Sequence, residues 1–276
     1  MTVVPYASER SHSMKVVLFC GGLGTRLREY SEALPKPMVE VGNRPILWHV
    51  MKYYAHFGHK EFILCLGYKG DVIKNYFLNY NEAVSNDFVL RGSRENLQLV
   101  SSDIHDWTIT FADTGLTSNI GMRLRAAEKY LGDDDIFLAN YSDGLSNIPL
   151  DSVIEQFKRS GKIAMFVSVK PSQSFDLVVT DGDGVVQEIQ HVGKSGIWIN
   201  GGYFVFRRDI FRYIKDGEEL VYEPFRRLIK EGQLAAYRHD GFFMCMDTFK
   251  EKMTIDDMCA RGEAPWEIWK KGARHG

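Results

Sequence analysis

Long apolar runs are missing from this 276-residue chain. No stretch approaches the about 18 residues that a spanning helix needs, which argues against a helical membrane protein. An excess of either charge is missing too. Lys and Arg total 34 against 36 Asp and Glu, a formal charge of −2. That balance leaves no electrostatic footprint for non-specific nucleic-acid binding, although a local basic pocket for a small anion stays open. Cysteine is scarce: Cys20, Cys65, Cys245 and Cys259 are scattered, with no CxxC or other metal spacing. They read as reduced, buried thiols, expected of a cytoplasmic protein. No HxxxH or Cys/His cluster points to zinc, and there is no internal repeat or low-complexity linker. Residues 1–13 lack the basic start and apolar core of a signal peptide. They read as a flexible tail ahead of a single domain over residues 14–276.

What is present is an alternation of strands and helices. Lys15–Cys20 is a short apolar run ending in glycines and reads as a buried strand. Pro45 then opens a helix carrying Ile46, Val50, Tyr53, Tyr54 and Phe57 at helical spacing, which Gly58 ends. A strand over Glu61–Leu66 and a helix over Asp71–Asn79 follow. This order predicts a parallel sheet with covering helices. The middle is richer in short strands, at Phe88–Leu90, Leu97–Val100, Thr108–Ala112 and Ile136–Asn140, with a helix over Met122–Leu131. Asp151 reads as the cap of a helix carrying Val153, Ile154 and Phe157. Strands are expected at Ile163–Val169 and Ile197–Phe206. Between them, Asp181-Gly182-Asp183-Gly184 marks a hairpin joining Leu177–Thr180 to Val185–Ile189. Helices are expected over Glu223–Glu231, Phe249–Arg261 and Pro265–Lys271.

The chemistry starts at Gly21-Gly22-Leu23-Gly24-Thr25-Arg26-Leu27, directly after the first strand. Glycines there let backbone N–H groups approach an anion closely. No GxxxxGK[ST] run exists, so this is not a Walker loop. A dinucleotide fingerprint started at Gly22 has Leu27 where its third glycine belongs, which disfavours an NAD-dependent dehydrogenase. What remains is a glycine loop with a built-in Arg26, followed by Lys36 held between Pro35 and Pro37. A forked guanidinium and a rigidly placed ammonium suit a polyphosphate. A plain strand-to-helix turn with surface cations is the bland alternative.

The runs GGLGTRL, PKPMVEVGNRPILWH and LGYKGDVIKNYF resemble the sugar-1-phosphate nucleotidyltransferases, and more narrowly the glucose-1-phosphate cytidylyltransferases. The likeness resumes at Asp113-Thr114-Gly115, Asn200-Gly201-Gly202, Tyr237–Phe242, Met246-Asp247-Thr248 and Ala264-Pro265-Trp266. It implies a Rossmann-like α/β domain: a mixed sheet with helices on both faces, β-rich insertions and C-terminal helices. It also implies an enzyme that joins an NTP, CTP in the narrower group, to a sugar 1-phosphate and releases pyrophosphate. Gly21, Gly22, Gly24 and Thr25 would hold the nucleotide, with Gly121 on the same side and Arg123 a candidate for the nucleotide or the acceptor. Arg26 and Lys36 would serve catalysis by holding its phosphates. Asp143 and Asp247 would hold Mg²⁺; Asn200 and Gly201 would contact the sugar, and Glu223 its hydroxyls. Small-molecule substrates and a homo-oligomer are the partners implied, with no nucleic acid or membrane.

The physics agrees with that chemistry. A phosphate nucleophile is already largely dianionic and needs no general base. The obstacle is repulsion between polyanions, which calls for cations and in-line alignment. Mg²⁺ prefers one or two carboxylates together with phosphates and waters.

The departures from the family pattern cluster on the acceptor side. Its Glu-Lys-Pro run, whose lysine meets the sugar phosphate, reads Gln190-His191-Val192. Lys194 lies nearby. Its Phe-Gly reads Phe175-Asp176, its Gly-Gly-Arg-Leu reads Gly121-Met122-Arg123-Leu124, and its Gly-Asp-Gly reads Ser142-Asp143-Gly144. Asp176 and His191 therefore become acceptor-side candidates. A neutral or partly charged His191 would bind an anion in a pH-dependent way. Two alternatives follow. One is a non-glucose acceptor: a modified sugar, a cyclitol phosphate or another small phosphate. The other is a non-catalytic homologue that binds nucleotides or sugar nucleotides.

Overall fold

In Lys15–Phe19 (β1), Val16 and Leu18 pack to one side of a sheet and Val17 and Phe19 to the other, all essentially buried. A strand apolar on both faces belongs in the middle of a covered sheet, and that is where it lies. The computed structural model describes residues 13–22, 34–172 and 175–270, with Arg94 described by its backbone alone. Gly24, Thr25 and Arg26, and all of the expected tail but Ser13, lie outside the described residues.

Six further strands complete the main sheet: β2 (Glu61–Leu66), β3 (Thr108–Asp113), β4 (Ile136–Asn140), β5 (Ala164–Val169), β6 (Ile199–Arg207) and β7 (Leu234–His239). Their order is β7-β5-β6-β4-β1-β2-β3. β1 runs parallel to β2 and β4, β2 parallel to β3, and β5 parallel to β7. β6 alone is antiparallel to its neighbours β4 and β5. The sheet is mixed, as the resemblance implies, and six strands end on the same edge. In open α/β sheets ligands collect outside that carboxyl edge.

Helices cover both faces. Ile46–His56 and Leu150–Ser160 put Leu47, Met51, Val153 and Phe157 against Val16 and Leu18. Ile120–Ala127 and Glu223–Lys230 put Leu124, Phe225 and Leu228 against Val17 and Phe204. A third apolar cluster, with Val39, Leu145, Met246, Ile255 and Trp266, docks the Phe249–Ala260 helix onto the body. Among the described residues no helix is long and apolar enough to cross a membrane.

Several expectations shift. β7 was not foreseen; it sits on the sheet's edge, bonded on one side only. The expected Pro265–Lys271 helix is a 3₁₀ turn over Ile268–Lys270. Asp151 is not a cap: the helix begins at Leu150 after Pro149, placing Asp151 in the first turn, where it favours the helix dipole. Only Cys20 and Cys65 are fully buried; Cys245 and Cys259 are partly accessible.

Candidate active site

The carboxyl edge of β1 ends in glycines because a guanidinium occupies the space beside them. Arg123, only 3% exposed, donates from one terminal nitrogen to the Gly21 carbonyl at 2.9 Å. From the other it donates to the Leu66 and Gly115 carbonyls and the Thr114 hydroxyl. A Cβ on Gly21 would lie 2.1 Å from this guanidinium, and one on Gly67 would lie 2.7 Å from it. Arg123 thus clamps the floor of the glycine loop to the ends of β2 and β3. The described hydrogen bonds of Arg123, expected on the nucleotide side, go to backbone carbonyls and the Thr114 hydroxyl. Gly121, the other residue expected on that side, is closely packed. A Cβ there would meet the Glu218 carbonyl at 2.3 Å, so the glycine permits helix packing. Gly22, by contrast, is exposed and has open space in front of it.

Lys36 starts the 3₁₀ turn Lys36–Met38. Pro35 before it and Pro37 within it fix φ, and Met38 anchors the turn in the core. Its ammonium is 2.6 Å from Asp143 Oδ2 and 2.5 Å from Asp247 Oδ1. The two carboxylates are brought together by a short antiparallel ladder. Phe243, Met244 and Cys245 pair with Ser146, Leu145 and Gly144, and the Met246 N–H donates to the Asp143 carbonyl at 3.0 Å. Alternation along this strand sends Met246 into the core and leaves Cys245 and Asp247 on the opposite side.

Two local devices place the acids. Ser142 takes a left-handed φ of +65°, which turns Asp143 out of the line of β4. Its hydroxyl donates to the Phe19 carbonyl at 2.8 Å, and its N–H donates to Asn140 Oδ1 at 2.7 Å. Asp247 precedes a capping box in which Thr248 is the N-cap and Glu251 its reciprocal partner. Glu251 also accepts from the Asp247 N–H at 2.7 Å. Asp247 on its own resembles a helix cap; Thr248 takes that task, and the Asp247 carboxylate is turned to Lys36.

Burial alone would lower the Lys36 pKa. Asp143 above all, with Cys245 and Asp247, outweighs burial and holds the ammonium firmly protonated. The lysine and two carboxylates keep one net negative charge, and their oxygens are hard donors of the type Mg²⁺ takes. That they already seat a cationic ammonium shows that the pocket accepts positive charge. The donor set therefore fits a divalent cation.

Sequence reasoning missed Cys245. One donor atom from each of Asp143, Cys245 and Asp247 lies within 4.8 Å of the others. Burial, then the Asp143 carboxylate, pushes this thiol's pKa up, while Lys36 opposes them; Asp247 and a hydrogen bond to Asp143 add to the rise. The available signal was the i, i+2 spacing of Cys245 and Asp247, which is legible only once a strand is assigned.

The acceptor-side residues scatter. Asn200 is exposed at the start of β6 and folds its Oδ1 back to the Gly202 N–H at 2.9 Å. Gly201 is buried, and a Cβ there would meet the Val167 carbonyl at 3.1 Å, so close packing favours a glycine at this position. Asp176 and His191 face each other across the hairpin formed by Asp176–Thr180 and Val186–His191, and both are exposed. Glu223 is exposed at the start of its helix. Among the described residues, no hydrogen bond or ion pair joins Asp176, His191, Asn200 or Glu223 to the Lys36 cluster.

Comparison with known proteins bears on this arrangement. The nucleotidyl transferase family profile matches residues 15–250. A probable glucose-1-phosphate cytidylyltransferase of Bacillus subtilis is 39% identical over 258 residues, covering 93% of this chain and all of the relative. The glucose-1-phosphate cytidylyltransferase of Salmonella typhi is 38% identical over 259 residues, with the same coverage. Among solved structures, a UTP-bound UGPase from Acinetobacter baumannii superposes with a TM-score of 0.67 over 96% of this chain and 100% of that one. Its sequence identity is 17%, a likeness of fold.

Proposed function

Because this chain belongs to the nucleotidyl transferase family, we propose that it transfers the cytidylyl group of CTP to glucose 1-phosphate, releasing pyrophosphate. The observation that carries the proposal is the Lys36–Asp143–Asp247 cluster, with contacts of 2.5 and 2.6 Å, at the carboxyl edge. The names of the two bacterial relatives supply the nucleotide and the acceptor.

The glycines at the end of β1, with Gly24 and Thr25, are assigned to the nucleotide; Arg26 and Lys36 to its phosphates. Asp143 and Asp247 are the ligands proposed for Mg²⁺, which when bound would offset the charge of the two reacting phosphates. The protein's own share is alignment and charge. Lys36 can leave its carboxylates for a phosphate oxygen once another cation balances them, so the charge stays close to neutral throughout. The carboxylates neither give nor take a proton, because the attacking phosphate is already ionised. Retention of Lys36, Asp143 and Asp247 in one cluster argues against the non-catalytic alternative.

A second reading is a different acceptor phosphate. It is favoured by Gln190-His191-Val192 standing where the family carries its lysine, and by Asp176 opposite His191. We also infer a cytoplasmic setting and a homo-oligomer. The cross-strand pair Val178 and Ile189, 56% and 65% exposed, is apolar surface that a second copy could cover, and sizing chromatography tests it.

Pyrophosphate release decides between the readings, measured with Mg²⁺ and each of CTP, UTP, GTP, ATP and dTTP against glucose 1-phosphate and other small phosphates. Turnover with CTP and glucose 1-phosphate is the expected result. Turnover with another acceptor alone would assign the changed hairpin residues to specificity. No turnover with any pair would overturn the enzymatic proposal.

A further inference from the structure

We propose that Cys245 makes the active centre a binding site for a thiophilic divalent cation of the zinc or cadmium type, held by its sulfur together with the Asp143 and Asp247 carboxylates. This deepens the divalent-cation reading above and rests on it.

The geometry is specific to these three side chains. Cys245 and Asp247 project from the same side of one strand, and Asp143 meets them across the ladder that pairs Cys245 with Gly144. The three donor atoms lie within 4.8 Å of one another; a tetrahedral ion with bonds of about 2.3 Å to sulfur and about 2.1 Å to oxygen spaces these donors about 3.6 Å apart, a gap that small side-chain rotations close. The same carboxylates already seat a cation, the Lys36 ammonium that bridges them.

Donor chemistry then decides which ions use the sulfur. Magnesium takes oxygen and leaves a thiol alone, so Cys245 is a bystander to it. Zinc and cadmium take thiolate in preference to water, so the same pocket offers them a third protein ligand. On binding, the S–H bond breaks, sulfur keeps the electron pair and donates it to the metal, and the proton passes to solvent. No electron changes hands. The Lys36 ammonium must leave the pocket at the same time. A cation held this way would occupy the carboxylates needed for turnover, so the site would be inhibitory.

The test uses the full-length reduced protein without nucleotide. Titration with Cd²⁺ is expected to raise a sulfur-to-metal charge-transfer absorption that saturates at one equivalent. Cys245→Ser is expected to lose it and Cys259→Ser to keep it. Absence of the band, or its persistence in Cys245→Ser, would overturn the proposal. A second measurement needs no variant: iodoacetamide labelling read by mass spectrometry. Cd²⁺ is expected to protect Cys245 but not Cys259, and equal labelling of Cys245 with and without Cd²⁺ would overturn the idea. Neither readout involves turnover. Failure of the nucleotidyl-transfer reading would appear separately, in the Mg²⁺-supported pyrophosphate assay.

Discussion

The Lys36 ammonium lies 2.6 Å from Asp143, so the lysine assigned to substrate phosphate rests on a carboxylate assigned to metal. On the proposed reading, metal and lysine compete for the same oxygens, and turnover calls for both. Lys36→Met is expected to tighten Mn²⁺ binding in the absence of nucleotide, measured by calorimetry. The same variant should lower pyrophosphate release by about 10²–10³-fold, the scale of one lost group that stabilises transition-state charge. Unchanged Mn²⁺ affinity would rule out the competition.

Arg123 is expected to act through the glycine loop it clamps. Arg123→Lys keeps a charge but loses the fork that reaches the Gly21 carbonyl on one side and Gly115 on the other. A buried carbonyl left without a donor costs about 1–3 kcal/mol, so the melting temperature should fall by several degrees. The KM for nucleotide should rise as the loop floor loosens. Gly21→Ala should behave the same way, because its Cβ would intrude on the guanidinium. A KM change with no loss of stability would instead assign Arg123 to the nucleotide directly.

How much of this was legible in the sequence depends on how local each signal is. β1, β2 and β4 are apolar on both faces and announce themselves. Leu234–His239 has two alanines and a polar end and pairs only with β5, so its pattern carries little and tertiary pairing makes it a strand. The ladder between Gly144–Ser146 and Phe243–Cys245 is three residues long, and nothing in either segment names the other. Asp143 and Asp247 were found through family motifs; that a lysine bridges them, and that a thiol joins them, needed the fold. That Arg123 clamps Gly21 and that Gly121 packs against Glu218 likewise needed the fold, because a motif position does not reveal what surrounds it.

Stability should fall in acid through buried histidines. His59 is fully buried; its Nδ1 accepts from the Met14 N–H at 3.1 Å. Burial, with Lys158 adding, pulls its pKa from 6.5 down to about 4; burial also pulls His49 to about 4. A depressed folded-state pKa means that the unfolded chain takes up the proton first. The contribution is whole above pH 6.5 and is lost as pH falls toward about 4. Thermal melts across that window should show a falling midpoint, with a shallower slope for His59→Asn, which keeps an acceptor and cannot be charged. An equal slope would remove His59 from the account.

Ser142 gives the sharpest stability test, because two opposing effects meet in one residue. Its left-handed φ costs a side-chain-bearing residue about 1–2 kcal/mol that glycine avoids. Its hydroxyl recovers about 1 kcal/mol by donating to the Phe19 carbonyl. Ser142→Gly sheds the strain and the hydrogen bond together and should stay within about 1 kcal/mol of the parent. Ser142→Ala keeps the strain and loses the bond, so it should be destabilised by about 1 kcal/mol or more. The expected order of melting temperatures places the glycine variant beside the parent and the alanine variant below both. If alanine matched the parent, the hydroxyl would not be what holds this turn, and the orientation of Asp143 would need another cause.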